Sequence, residues 1–329
     1  MNNRVYNTKS IVEAGIITTL IVILALMSIY LPIFSILGKF ILPIPVTVLY
    51  LRHNAKVTII SIVVSGILVG MTYNPLSGLT SAIMFGLAGM SLGYCIKNDK
   101  KISTTLVLLS SAFFIGTTID IFVYIKLITG SNINAFVEEM VKAINESFNM
   151  AINFYKKVGV SQEQLKPLLD SLKMMNADFI LKLTPAILIV SSIIFAYLTY
   201  IITRLILRKL GYNIKGIPKF TEIYINVKVA TILAMFLLLG VLLVRQNIKG
   251  GEYILSSSEL LLQYAFLING LSVAVYYLRN KFNLGKGFIV LIILFTLFSP
   301  LAMIYFMLGL ADVILDFRKL DPNRKLGAK

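Results

Sequence analysis

The sequence predicts an all-α, polytopic membrane protein with about eight long transmembrane helices and a short C-terminal helical hairpin. Of the 329 residues, 57% are hydrophobic and only 14% are charged, and the mean hydropathy of +0.86 lies far outside the range of a soluble domain. The apolar residues are gathered into runs of membrane-spanning length. The basic residues concentrate in alternate connections between those runs, as they do in multi-pass proteins.

Each apolar run is interpreted as one helix, because crossing the hydrocarbon core takes about 20 mostly apolar residues. The long runs are residues 11–31, 40–52, 57–73, 77–96, 102–128, 179–207, 227–244 and 254–278. The second run carries Pro43 and Pro45 just after Lys39, so we expect a bent or partly extended entry into the membrane there.

The last apolar run, residues 287–316, is predicted to turn back inside the membrane. Ser299-Pro300 lies in its middle, and proline ends or bends a helix because it lacks a backbone donor. We therefore expect two short arms, 287–299 and 301–316. A re-entrant hairpin and two tilted helices both remain open.

The distribution of Lys and Arg predicts that both termini are cytoplasmic. With the N-terminus inside, the inner segments hold 21 basic and 6 acidic residues, and the outer segments hold 10 and 9. Positively charged short loops are retained in the cytoplasm, so the formal charge of +16 is a signal of topology. It also favours anionic lipid heads as partners over nucleic acid, which we do not expect to bind.

Residues 131–178 form the one segment predicted to lie outside the membrane. Phe136, Met140, Ile144, Phe148 and Ile152 recur at helical spacing, which predicts an amphipathic helix. A break near Gly159 and a second helix at about 161–175 complete a hairpin. On the predicted topology it is extracytoplasmic, either resting on the outer surface or forming a lid over a binding site.

Several classes of chemistry are not expected. Cys95 and His53 are the only residues of their types, so a disulfide, a thiolate metal site and most histidine-dependent catalysis are disfavoured. His53 is predicted to be a solvated loop residue. Ser91 lies in a G-x-S-x-G pattern, but a nucleophile elbow requires a strand-to-helix turn and this pattern falls within a transmembrane helix. No P-loop motif is present. We predict no enzyme activity, no metal and no cofactor.

Small residues recur along the early helices. Gly66 and Gly70 form a GxxxG pair, and Ala82, Gly86, Gly89 and Gly93 lie along one side of the fourth span. Such faces let helix backbones approach closely. Packing within the protein is the first interpretation, and a docking face for another membrane subunit is the second.

A polar pocket open to the outside is predicted from charged and aromatic residues near the outer boundary. Asp120 lies roughly 28 Å along the fifth span at about 1.5 Å per residue, and acids within spans are functional candidates. Tyr124 shares its helical face. The other candidates are the predicted outer-loop residues Lys39, Tyr73 and Asn74, and Glu259 with Gln263 in the eighth span. The competing interpretation is an interfacial Asp120 paired with a nearby lysine.

Near the C-terminus, Asp312 and Asp316 precede Arg318 and Lys319 at helical spacing. We interpret them as an intramolecular ion-pair anchor at the inner surface.

Several segments carry a family resemblance over nearly the whole chain. They are TKSIVEAGIITTL, ILPIPVTVLYLRHNAKVTIIS, the juxtamembrane IPKF and the ending SPLAMIYFMLGLADVILDFRK. With the glycine-rich fourth span and the long outer helical loop, the chain resembles the YybS-type family of uncharacterised bacterial membrane proteins. That family is distantly similar, over its first half, to the substrate-binding S components of energy-coupling-factor vitamin transporters.

The second resemblance implies roles for particular residues. In S components, an Ala-x-x-x-Ala pattern in the first helix contacts a coupling subunit that works with ATPases. The corresponding positions here are Ala14 and Thr18, so the second alanine is replaced. The implied parts are an S-component-like half (1–130), an extracytoplasmic hairpin (131–178) and a second transmembrane half with a basic cytoplasmic tail (179–329).

From these observations we expect a multi-pass protein of the bacterial plasma membrane that binds a small solute and helps to import it. The alternative is a non-transporting scaffold or regulator that recruits other proteins.

Overall fold

Helix accounts for every regular element in the computed structural model, which describes residues 8–297 and 299–321. The prediction of an all-α fold is therefore confirmed for this part of the chain. The helices are α1 Thr8–Tyr30, α2 Pro32–Ile41, α3 Pro43–Arg52, α4 Ala55–Thr72, α5 Pro75–Lys97, α6 Ile102–Val123, α7 Ile133–Lys157, α8 Gln162–Met174, α9 Ala177–Lys209, α10 Val227–Arg245, α11 Gly251–Asn280, α12 Lys286–Leu297 and α13 Ala302–Leu315. The basic tail predicted to be cytoplasmic lies mostly at 322–329, outside the described residues.

Eight helical segments in the described ranges are long and apolar enough to cross a membrane. They are α1, α2 with α3, α4, α5, α6 with the π-helical turn Tyr124–Ile128, α9, α10 and α11. The predicted number of long spans is confirmed. The short helices α12 and α13 are bent by 106° at the break between them, where a hairpin was predicted.

The entry into the second span differs from its prediction. The span begins at Pro32 rather than near residue 40, and α2 and α3 are joined through Leu42, which has helical dihedral angles. Pro32 and Pro43 each occupy the start of a helix, where the missing N–H has no helical partner to lose. Of the two predicted forms, bent or partly extended, the extended one is therefore wrong, because these prolines start helices.

The helices form two compact units. The first unit contains the chain up to 177 together with 188–216, and the second contains 178–187 and the chain from 217 onward. In the first unit, α1 to α6 are linked by close contacts, including α5 with α3, α4 and α6. In the second unit, α11 packs against both α10 and α13.

Glycines bring the helices of each unit together. A Cβ on Gly78 of α5 would lie within 2.4–2.6 Å of the backbone of Gly66 and Gly70 on α4. In the second unit, a Cβ on Gly270 or Gly309 would lie 1.7 or 1.8 Å from a carbonyl oxygen of the facing helix. These crossings exclude any larger residue, so the small residues determine how closely the helices approach.

The predicted helical hairpin is present. Its helices α7 and α8 flank Gly159, whose φ of +89° allows the sharp turn. Asn132 caps α7, and Ser161 with Gln164 forms a capping box at the start of α8. Its extracytoplasmic position remains a prediction.

Candidate functional site

Asp120 lies on α6, inside a candidate span of the first unit. Its side chain is half-buried, and it has no ion-pair or hydrogen-bond partner among residues 8–297 and 299–321. The alternative of an ion pair with a nearby lysine is therefore not found in the described part of the chain. A charged side chain within a span is costly, so the charge of Asp120 calls for a compensating group or for water.

Further polar groups lie near Asp120 on the same helix. Thr117 is 8% exposed, and its hydroxyl has no hydrogen-bond partner in the described structure. The neighbouring Thr118 instead donates to the carbonyl of Phe114 at 2.7 Å, the usual arrangement for a threonine in a helix. The face of α6 that carries Asp120 thus also carries a buried hydroxyl without a partner in the described structure, as do Thr199 and Thr203 on α9.

The helix changes form directly beyond Asp120. From Tyr124 to Ile128 the chain forms a π-helical turn, in which Thr129 N–H donates to the carbonyl of Tyr124 at 2.9 Å. Single π-helical turns occur frequently at functional sites. The ring of Tyr124 is half-exposed and meets Phe136 of α7 edge-on, with ring centroids 5.9 Å apart. Asp120 therefore lies one turn before an aromatic pair that joins α6 to the hairpin.

The other candidates of the first unit divide into two kinds. Lys39 was predicted in an outer loop, and this is wrong: it lies in the last turn of α2, half-buried and without a described partner. Tyr73 and Asn74 do lie between α4 and α5 as predicted. Asn74 caps α5 by accepting from Leu76 N–H at 2.9 Å, which gives its side-chain oxygen a structural role.

Glu259 and Gln263 lie on α11, in the second unit. Both are exposed, and the Gln263 amide donates to the Glu259 carboxylate at 3.3 Å. The two side chains are therefore hydrogen-bonded to each other, as an i, i+4 pair on one helix.

The small residues predicted to contact a partner have neighbours inside the first unit. Thr18 is buried and its hydroxyl donates to the carbonyl of Ala14 at 2.7 Å. A Cβ on Gly86 would meet Ile62 of α4. On Gly89 and Gly93 it would meet Val46 and Tyr50 of α3, respectively. Internal packing, the first interpretation of the glycine face, accounts for these positions.

A charged cluster at one end of the first unit was not predicted. His53 is an interior residue, not the solvated one expected: its side chain is 9% exposed and its Nε2 lies 3.3 Å from a carboxylate oxygen of Glu13. The other oxygen of Glu13 pairs with Arg52. The signal in the sequence was an acid near the start of the first span together with Arg-His at the end of the second.

The second unit contains a buried polar centre around Arg318. Two of the four residues of the predicted anchor, Asp312 and Arg318, form an ion pair at 2.9 Å, and both side chains are almost fully buried, at 4% and 0% exposed. Arg318 also donates to Asn269 and Ser272 of α11 and to the carbonyl of Thr221. One guanidinium therefore joins the C-terminal segment, α11, α13 and the connection before α10.

The sequence did not predict a role for Asn269 or Ser272 in this polar centre. Asn269 donates to Asp312 and to the carbonyl of Gly309, and Ser272 donates to the carbonyl of Ile223 at 2.9 Å. Both lie in an apolar helix, where a single polar residue gives no indication of its partner. Within the described residues, no group of three or more His, Cys, Asp or Glu could hold a metal ion.

The helix lengths, their apolar composition and the polar residues inside them define a polytopic α-helical membrane protein. Residues 19–313 match the family model described as "Predicted membrane protein (DUF2232)", and the chain belongs to that family. It is also similar to "Uncharacterized protein YybS" of Bacillus subtilis, with 25% identity over 285 residues that cover 83% of this chain and 86% of the relative. No solved structure gives a significant match.

Proposed function

We propose that this is a bacterial plasma-membrane protein whose first unit binds a small solute at Asp120 and helps to import it. The observation that carries the proposal is a carboxylate inside a span with no partner among the described residues. Ionisable residues in that position usually belong to substrate or ion pathways. The proposal is for a binding protein without a catalytic step.

The surroundings of Asp120 indicate what such a solute would offer. A cationic group would neutralise the carboxylate, and the half-exposed ring of Tyr124 would add a cation–π contact. The hydroxyl of Thr117 would supply a hydrogen bond that it does not make within the described structure. Lys39, also unpaired, provides a counter-charge for an acidic group if it lies within reach of the same solute.

The number of spans in the first unit supports an S-component-like role. That unit contains five whole spans and residues 188–209 of a sixth, and S components have six. A coupling subunit and its ATPases would supply the energy, since the chain has no P-loop. Such a subunit would contact the uncovered face of α1 around Gly15, where a Cβ would have no neighbour within 4 Å, rather than the buried Thr18.

Native mass spectrometry of the protein released from lipid nanodiscs tests the proposal. The wild-type protein is expected to carry a small molecule that is absent from Asp120→Asn. The matched control is Glu139→Gln, which removes an exposed carboxylate on α7 outside the candidate spans. If no small molecule is bound while other proteins co-purify, the scaffold alternative is favoured and solute binding is overturned.

The predicted topology is tested with single cysteines in a Cys95→Ser background. Ser147 on α7 and Asn98 after α5 are both exposed and are predicted to lie on opposite sides of the membrane. An impermeant maleimide applied to intact cells is expected to label Ser147→Cys and not Asn98→Cys. The reverse pattern would place Asp120 near the inner surface, and the proposed uptake site would be wrong.

A further inference from the structure

Three apolar side chains lie uncovered in a row at the end of α7. Met150, Phe154 and the helix-capping Val158 follow one another at four-residue spacing, so they share one edge of the helix. They are 67%, 62% and 61% exposed. We call Met150, Phe154 and Val158 the α7 edge.

The α7 edge is separate from the apolar contacts that hold the hairpin to its unit. Val137 and Ile152 of α7 are 5% and 3% exposed. At about 100° per residue, these two residues lie roughly 100° or more around the helix axis from Met150 and Phe154. One apolar side of α7 is therefore buried in the folded unit, whereas the α7 edge stays exposed.

The charge at the C-terminal end of the α7 edge is positive, whereas Glu146 lies one turn before Met150. Between Ser147 and Val160 the only charged residues are Lys156 and Lys157. The acids of α7, at 138, 139 and 146, all lie nearer its beginning. Aromatic side chains next to lysines are typical of helices that lie in the boundary between lipid head groups and acyl chains.

Both ends of the hairpin are tied closely to membrane spans. Only residues 129–132 separate the π-helical turn from α7, and only residues 175–176 separate α8 from α9. A helix of 25 residues is about 37 Å long at about 1.5 Å per residue, so α7 can extend far along a membrane surface while its start stays at the lipid boundary. The lipid surface from which α6 emerges is therefore within reach of the edge.

We propose that the α7 edge inserts into the head-group region of the membrane, with Lys157 bound to an anionic lipid phosphate. The apolar side chains contribute burial energy, and Lys157 adds about 1 kcal/mol of attraction near an anionic surface. The hairpin then lies flat, held by lipid on one side and by its own unit on the other. This inference does not depend on Asp120 binding a solute.

The absence of tryptophan from the chain allows a direct test. Phe154→Trp introduces a single tryptophan at an exposed position, and Asn153→Trp places the same reporter one residue away, on the polar side of α7. The full-length variants are placed in nanodiscs of phosphatidylcholine with phosphatidylglycerol. Lipids brominated on their acyl chains are expected to remove most of the emission at position 154 and little at 153.

The lipid requirement distinguishes insertion into the membrane from burial against another protein. Quenching at 154 is expected to weaken in phosphatidylcholine alone, and to weaken in the mixed lipid when Lys157 is changed to Gln. Quenching by aqueous iodide with none by bromine would overturn the proposal. Protection of this tryptophan from iodide in native membranes but not in nanodiscs would also overturn the proposal, because it would indicate a protein partner. Val158→Trp repeats the test if Phe154→Trp folds poorly.

Discussion

Each unit holds one ionisable group in apolar surroundings, Arg318 or Asp120, and the two groups differ in how they are paired. In the second, Arg318 is completely buried and its guanidinium donates to four oxygen-bearing partners drawn from separate segments. In the first, Asp120 is half-buried inside a span and has no partner in the described structure. Both are ionisable groups in predominantly apolar surroundings, yet only one is neutralised by its own unit.

This difference separates a structural charge from a candidate binding charge. A buried ion is tolerated when it is paired and hydrogen-bonded, and both terminal nitrogens of Arg318 are, through Asp312, Asn269 and Ser272, although its Nε has no partner among the described residues. Asp120 does not, so its compensation must come from water or a bound group. Removing a paired charge should therefore damage the fold, whereas removing an unpaired one should damage binding.

The largest effect is expected from Arg318→Met. The change leaves the carboxylate of Asp312 buried without its cation, which lowers the free energy of unfolding by about 3–5 kcal/mol. Denaturant unfolding of the protein in detergent micelles measures the loss.

Two further variants make this test specific. Lys319→Met removes the neighbouring, exposed charge and is expected to change stability by less than about 0.5 kcal/mol. Combining Arg318→Met with Asp312→Leu removes both charges and is expected to recover much of the loss. Equal stability of the single and double variants would contradict a pairing role for Arg318.

A second large effect is expected from Gly309→Ala in the same unit. The new Cβ would lie 1.8 Å from the carbonyl oxygen of Phe266, so α11 and α13 must separate. Overpacking of this kind costs about 1–3 kcal/mol or more. Gly285→Ala is the control, because nothing lies within 4 Å of its added Cβ, and thermal unfolding should distinguish the two. Equal melting temperatures of the two variants would show that α11 and α13 do not cross closely at Gly309.

A smaller change in stability is expected when one of two buried hydroxyls of the first unit is removed. Thr117 has no hydrogen-bond partner in the described structure, whereas the hydroxyl of Thr47 lies 2.9 Å from the carbonyl of Pro43 and 3.1 Å from that of Gly89. Replacing Thr47 by Val is expected to cost about 1 kcal/mol, and replacing Thr117 by Val is expected to be neutral or stabilising. Solute binding should weaken only in Thr117→Val. A stability loss at Thr117 equal to that at Thr47 would show that its hydroxyl is already satisfied.

The smallest effect concerns Tyr224, in the connection before α10. Burial raises the pKa of its phenol above the ordinary value, and the carboxylates of Asp321 and Asp316 raise it further. Because the folded pKa is raised, the neutral phenol stabilises the fold, and this contribution is lost as pH rises above about 10. Titration of ¹³C-labelled tyrosine, with Tyr224→Phe for assignment, should show a late transition that moves to lower pH in Asp321→Asn. A titration like that of free tyrosine would contradict this.

Much of the fold could be predicted because its signals are local. Hydropathy over about 20 residues locates a span, and the positions of the long spans and of α7 and α8 agree with those signals. The second span was predicted poorly because Pro43 breaks a helix only when it is in the interior, and here it starts one. That error also misplaced Lys39.

The candidate site was predicted only in part. Asp120 and Tyr124 could be selected because an acid within a span is rare. The buried position of His53 and the roles of Asn269 and Ser272 could not be predicted, because each depends on a neighbour from another helix. Arg318 and Asn269 are 49 residues apart, and no periodicity connects them.

By itself, the sequence determined the solvent in which this protein folds, the number of its long spans and the place of the hairpin. Each of these follows from the composition of one continuous stretch of chain, because transfer into lipid depends on the residues of that stretch alone. Only the tertiary structure decided which charges are paired. Whether a charged side chain has a partner depends on the distance and direction between two helices. Those distances are set by close glycine crossings, which exist only in the packed structure.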